Sequence, residues 1–179
     1  MCVEPDFFGV FDMPSYEISS EERAALYCLH HDTHIVDRPD EPSNDGSVHA
    51  TSRLTIVKAF NRTETFDKES EAYRRLARYF VRQIQCHMVP QLLRLDALLG
   101  VIEISVVKRP YVLDFGKIQL DRRLDEVWPA EVLDERWAYW ESLFEPEQWP
   151  VVLAIWNELG NRFGIWLEDI HPGNIAFDT

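Results

Sequence analysis

The segment from Phe66 to Met88 constrains the fold of this 179-residue chain more than any other. Its apolar residues recur at helical spacing in one narrow stripe: Tyr73, Leu76, Phe80 and Ile84. This spacing predicts one long amphipathic helix. Glu69 falls on the same stripe, and a core-facing carboxylate is costly to desolvate unless it is paired or hydrogen-bonded. Glu69 is therefore predicted either to have a cationic partner or to be exposed in the first helical turn, where a carboxylate suits the helix dipole.

Lys58 is the nearest upstream candidate for that partner. It lies in the segment Arg53–Phe60, whose alternating, β-branched sequence predicts a strand. Period-two alternation places Lys58 on the same strand face as Leu54, Ile56 and Phe60. Two interpretations follow: Lys58 extends its amine to water past apolar neighbours, or it pairs with Glu69.

The segment WLEDIHPGNIAF, Trp166 to Phe177, contains an Asp and an Asn five positions apart, Asp169 and Asn174. An Asp can orient or deprotonate an attacking hydroxyl, and an Asn can offer an amide oxygen to Mg²⁺. The intervening turn would bring both side chains to one place. An ordinary turn contains the same residue types, so the segment also fits a purely structural role.

Taken in chain order, LTIVKAF, FDKESEAYRRL, VPQLL and DIHPGN resemble the protein-kinase-like superfamily. The last of these is similar to the catalytic loop of small-molecule kinases such as aminoglycoside and choline phosphotransferases. The resemblance covers roughly residues 46–179 and implies an α+β fold. It divides the chain into an N-terminal extension (1–45), a small antiparallel-sheet lobe with one long helix (46–112) and a reduced helical lobe (113–179).

The resemblance also implies a phosphotransferase site that uses ATP and Mg²⁺. In it, Lys58 would contact the α- and β-phosphates, Glu69 would fix Lys58, and Ile56 would line the adenine pocket. Asp169 would be the catalytic carboxylate, and Asn174 would be a metal ligand.

Several departures from the family pattern predict that catalysis is weakened more than the fold. The chain ends five residues after Asn174, without the downstream Asp-Phe-Gly motif whose Asp holds the main Mg²⁺. A literal Asp-Phe-Gly stands upstream at 114–116, where Asp114 is a metal candidate only if the topology is rearranged. Gly46 is the only glycine between Gly9 and Gly100, so a glycine-rich phosphate loop is lacking.

These departures favour a degenerate kinase-like domain, a pseudokinase, that binds a nucleotide and has a regulatory or binding role. Two alternatives stay open. One is an active ATP-dependent phosphotransferase acting on a small-molecule or protein hydroxyl. The other is a plain protein-interaction domain whose cleft is filled by side chains.

Composition limits the partners and the compartment. A formal charge of −13 argues against nucleic acid and against anionic membranes as main partners. No apolar stretch approaches the length of a membrane span, and no signal peptide is recognisable. The three cysteines are widely spaced and form no readable disulfide framework. We therefore expect a cytoplasmic protein whose candidate partners are a nucleotide and another protein.

Overall fold

The computed structural model describes residues 17–37, 45–113 and 115–178. Within these ranges the chain has a mixed α+β fold, which confirms the predicted class. The helices are α1 (Ser20–His30), α2 (Thr63–Arg78), α3 (Ala130–Glu141) and α4 (Trp149–Phe163). The strands are β1 (Gly46–Ala50), β2 (Thr55–Phe60), β3 (Gln83–Ile84), β4 (His87–Met88), β5 (Leu92–Asp96), β6 (Val101–Ser105), β7 (Tyr111–Val112), β8 (Ile118–Leu120), β9 (Ile165–Leu167) and β10 (Ile175–Ala176).

The largest sheet is four-stranded and antiparallel, in the order β1-β2-β6-β5. Helices cover both of its faces. Val57 and Ala59 of β2 belong to a small core with α1, whereas Ile56 and Phe60 pack in the main core that includes α2. The predicted alternation of β2 therefore separates two cores, and Lys58 faces α2.

Helix α1 is fixed to this sheet by buried polar contacts. Its N-terminus has a capping box formed by Ser19 and Glu22. The side chain of Arg23 is buried and donates hydrogen bonds to the carbonyl oxygens of Phe60 (2.6 Å) and Leu99 (2.5 Å). On the same face, the buried carboxylate of Glu103 accepts hydrogen bonds from three side chains: Tyr27 (2.9 Å), Thr55 (2.6 Å) and Arg94 (2.9 Å).

Helix α2 ends at Arg78, so the prediction of a helix continuing to Met88 was wrong beyond that point. Phe80 has a φ of 53°, in the left-handed region that a helix cannot contain, and its side chain is 86% exposed. After this reversal the chain forms the short hairpin of β3 and β4. Ile84 is buried as predicted, but it is buried from a strand.

Two further sheets bring together segments that are distant in the sequence. The sheet order β10-β7-β4-β3 places β7 antiparallel to β10, with Val112 opposite Ile175. Strand β8 likewise pairs antiparallel with β9, with Gln119 opposite Trp166. The segment YVLDFGK and the segment around Asp169 are therefore neighbours, although two helices separate them along the chain.

The helical part of the fold is organised around aromatic side chains. The six tryptophans of the chain form one connected set of ring contacts, with centroid distances from 4.6 to 6.3 Å: Trp128, Trp137, Trp140, Trp149, Trp156 and Trp166. Helix α4 begins with a proline in its first turn and ends at Gly164, whose φ of 65° makes the left-handed C-cap. Among the helices in the described ranges, none has the length and apolarity needed to cross a membrane.

Candidate functional site

Lys58 and Glu69 form an ion pair between β2 and α2. The Nζ atom of Lys58 donates to Oε1 of Glu69. The side chain of Glu69 is 1% exposed and that of Lys58 is 15% exposed, so the pair lies largely out of water. The structure thus has the paired arrangement rather than an exposed Glu69 in the first helical turn.

Asp169 and Asn174 lie side by side on one tight turn. The backbone amides of Asn174 and Ile175 donate to the carbonyl oxygen of His171 (2.9 and 3.0 Å). The side-chain amide of the buried Asn174 donates to the backbone carbonyl of Asp169 (3.0 Å). Local turn geometry therefore accounts for the close approach of these two residues, as the sequence pattern predicts.

Lys117 is a member of the site that the sequence analysis did not identify. Its Nζ atom lies 2.9 Å from Oδ2 of Asp169, and the Lys117 side chain is 61% exposed. Lys117 directly follows the Asp-Phe-Gly tripeptide and precedes β8, which pairs with β9 just before Asp169. Only this pairing of distant strands brings Lys117 to the site, so no local sequence signal could have found it.

Two open cavities meet at Lys58. The first, of about 260 Å³, has a mixed lining, and we call it the polar cavity after its polar side chains, which include Ser47, Lys58, Glu69 and Lys117. The second, of about 440 Å³, is mainly apolar and contains Ile56 in its wall. Its other lining residues include Val48, Ile104, Tyr111, Leu113 and Asn174. Val48 and Lys58 line both cavities, so Lys58 lies at the boundary between the apolar cavity and the polar one.

The segment after β6 forms one side of the apolar cavity. Ser105, Val106 and Val107 line it, and residues 106–108 form no backbone–backbone hydrogen bond with the described part of the chain. Their N–H and C=O groups are therefore available to a ligand, since main-chain polar groups require partners.

Asp114 lies outside the described residues, but both of its sequence neighbours lie near the site. The backbone amide of Leu113 donates to the carbonyl oxygen of Asn174 (2.7 Å). Phe115 is fully buried, and its ring meets that of Tyr73 of α2 edge-to-face at 5.1 Å. The prediction that Asp114 binds metal stays a prediction.

The mouth of the polar cavity does not resemble a phosphate cradle. Asp45 lines it and contributes negative charge. Gly46 has a φ of 144°, and a Cβ atom there would lie 2.0 Å from the carbonyl oxygen of Ala59. The close approach of β1 to β2 therefore explains the glycine without a phosphate-binding role.

No metal cluster accompanies these residues in the part of the chain that the structure describes. In the described ranges, no group of three or more His, Cys, Asp or Glu side chains is arranged to hold an ion. Asn174 and Asp169 would have to bind a metal together with nucleotide oxygens, as Mg²⁺ commonly does. His30 and His34, which have the spacing of a metal pair on a helix, are exposed, and His34 lies beyond the end of α1.

No protein-family model, curated protein or solved structure matches the chain.

Proposed function

We propose that this chain is a kinase-like domain that binds a purine nucleotide, with ATP as the leading candidate, and acts as a pseudokinase with a regulatory role. The supporting observation is the position of Lys58. Glu69 holds it at the junction of an apolar cavity and a polar one. A nucleotide has the same division, a flat apolar base at one end and phosphates at the other.

The apolar cavity suits an adenine ring. Val48, Ile56 and Ile104 provide aliphatic walls, and a volume of about 440 Å³ is in the normal range for small-molecule sites. The backbone groups of residues 106–108, which have no backbone partner in the described part of the chain, can donate to and accept from the edge of a purine. Base recognition is the best supported part of the proposal.

The polar cavity gives phosphates weaker support. Lys58 and Lys117 bring two positive charges, while Asp45 and Glu69 bring two negative ones. A nucleotide is therefore expected to bind only slightly more tightly than its nucleoside, because the phosphates enter a site whose net charge is nearly zero. This balance favours a nucleotide-binding pseudokinase over an efficient kinase.

An active phosphotransferase is the second candidate, and the pairing of β7 with β10 favours it. This pairing brings the described residues on either side of Asp114 next to Asn174 and α2. In such an enzyme, the oxygen of a substrate hydroxyl would attack the γ-phosphorus of ATP, and ADP would leave. Asp169 would accept the proton of that hydroxyl during the attack. Asn174 and Asp114 would be the residues that hold Mg²⁺, which would neutralise phosphate charge.

A plain interaction domain is less well supported, because the cavities at Lys58 are open rather than filled by packed side chains.

Calorimetric titration of adenosine and of ATP, each with and without Mg²⁺, tests the proposal. We expect adenosine and ATP to bind with affinities within about tenfold of each other, since the phosphates add little. Ile56→Trp should abolish binding of both ligands by filling the apolar cavity. Lys117→Ala, which removes an exposed lysine that lines the polar cavity, should weaken ATP but not adenosine. Lys68→Ala, which removes a half-exposed lysine of α2, should weaken neither.

The same samples separate the two candidates. Phosphate release that requires Mg²⁺ and is lost in Asp169→Asn would establish the enzyme. Binding without such turnover supports the pseudokinase. Absence of any binding of adenosine and ATP at millimolar concentration would refute nucleotide recognition altogether.

A further inference from the structure

We propose that a third cavity binds a small apolar carboxylate, a molecule with one anionic end and a hydrocarbon body. This cavity, of about 480 Å³, is lined by the segment after β6 and by the start of the connection between β4 and β5. Its apolar lining consists of Met88, Val89, Val106 and Val107. Its charged lining consists of Arg82, Lys108 and Arg109.

The three cations lie together without acidic partners. The chain as a whole is acidic, with 31 acidic and 18 basic residues, so a cavity with only basic charges in its described lining stands out. Arg82, Lys108 and Arg109 form no ion pair with any described residue, and no described acidic residue lines the cavity. At physiological salt, charges act over about 8 Å, so the charges that line the cavity are the ones that a ligand inside it feels most strongly.

The apolar residues of the cavity favour ligands that have a hydrocarbon part in addition to a negative charge. Met88 is 40% exposed and Val106 is 54% exposed, although both are apolar and adjoin the cations. A ligand that covers them gains from burying hydrocarbon, and its carboxylate gains from the cations beside them. An anion without a hydrocarbon part can interact with the cations but leaves the apolar side chains exposed.

Binding of a ligand in the third cavity is expected to change the affinity of the apolar cavity for a purine. Ser105, Val106 and Val107 line both cavities, so the segment between them is a common wall. A ligand that orders this wall changes the positions of the backbone groups offered to a purine. This coupling rests on the proposed nucleotide function, whereas binding to the third cavity does not.

Binding is tested with two fluorescent probes that share a ring system. The probe 1-anilinonaphthalene-8-sulfonate carries one negative charge, and N-phenyl-1-naphthylamine carries none. We expect saturable binding of the anionic probe at one site per chain, with at least fivefold weaker binding of the neutral one. Sodium octanoate should displace the anionic probe, and octanol should not.

Variants assign the binding to this cavity. The cations are exposed, so Arg82→Ala, Lys108→Ala and Arg109→Ala should melt like the wild type. Each should weaken the anionic probe about twofold to fivefold, and the triple variant about tenfold or more. Arg62→Ala, which removes an exposed arginine at the start of α2, is the control and should change nothing. A triple variant that binds the probe like the wild type, or equal loss in Arg62→Ala, overturns the site.

Coupling is measured as the ATP affinity with and without saturating octanoate. A change of at least threefold that disappears in the triple variant supports the common wall, and an unchanged affinity overturns the coupling alone. If neither ATP nor adenosine binds, the proposed function has failed, and the probe titrations still decide the carboxylate site.

Discussion

Removing the positive charge of Lys58 should destabilise the fold strongly, because it would leave the carboxylate of Glu69 buried without its cation. Glu69 is 1% exposed, so its carboxylate has very little contact with water. Breaking a buried ion pair from one side costs about 3–5 kcal/mol. For a chain of this size, that loss in the free energy of unfolding lowers the melting temperature by about 6–20 °C.

A double-mutant cycle isolates the contribution of the pair. Lys58→Met keeps most of the aliphatic stem, and Glu69→Gln keeps the shape of the side chain without its charge. We expect Lys58→Met to cost more than Glu69→Gln, since the Lys58 side chain, 15% exposed, has some access to solvent. The double variant should be more stable than the sum of the single losses predicts, by about 1–3 kcal/mol.

Urea unfolding followed by tryptophan fluorescence is a suitable assay. The six tryptophans lie between residues 128 and 166, away from the mutated pair, so their signal reports the fold and not the local change. Lys68→Met is the matched control, because Lys68 pairs with Glu64 on the exposed side of α2, and it should change stability by less than about 0.5 kcal/mol. A cost below about 1 kcal/mol for Lys58→Met, or strict additivity in the cycle, would refute the assignment of a tightly coupled buried pair.

Two further predictions concern the sheet beside the site. Gly46→Ala should lower the free energy of unfolding by at least about 2 kcal/mol, because it combines a φ of 144° with a Cβ 2.0 Å from a backbone oxygen. Gly173→Ala, whose Cβ would have its nearest contacts with the side chain of His171 and not with backbone atoms, should cost less in the same urea titration. Burial acts to raise the pKa of Glu103, but hydrogen bonds from its three donors outweigh this and hold the pKa below its ordinary value of 4.5. Glu103 therefore stabilises the fold above pH 4.5, and this contribution is lost as the pH falls through its lowered pKa. Urea midpoints between pH 6 and pH 3 should fall less steeply in Glu103→Gln than in the wild type, and equal slopes would contradict the argument.

The parts of the site that depend on short-range sequence patterns could be predicted. Alternation in β2 and helical spacing in α2 are local properties, and they were enough to make a Lys58–Glu69 pair one of two interpretations, which is the one that the structure has. The turn between Asp169 and Asn174 is local as well. The end of α2 was not predictable in this way, because the apolar spacing continues through Phe80 while the backbone reverses there.

The remaining parts depend on strands that meet across long stretches of sequence. Lys117 reaches Asp169 because β8 pairs with β9, and Leu113 reaches Asn174 because β7 pairs with β10. Neither pairing can be predicted from a sequence pattern, since strands of two or three residues are too short to show a periodicity. The backbone of residues 106–108, which has no backbone partner among the described residues, is likewise a property of the folded chain and not of a local pattern.

The order of segments also bears on how the Asp-Phe-Gly tripeptide should be interpreted. In kinases this motif follows the catalytic loop, and here it precedes the corresponding segment. Antiparallel pairing does not depend on which strand comes first, so β7 and β10 can be neighbours with α3 and α4 in the connection between them. A phosphotransfer site requires that its catalytic and metal-binding side chains lie close together in space. A different order of strands along the chain can keep these side chains adjacent although the motifs no longer follow one another in the usual order. For the kinase-like proposal, the upstream position of the tripeptide is therefore weaker counter-evidence than the nearly neutral charge of the polar cavity, where Asp45 and Glu69 offset two lysines. Charge acts on a bound phosphate directly, whereas chain order does not.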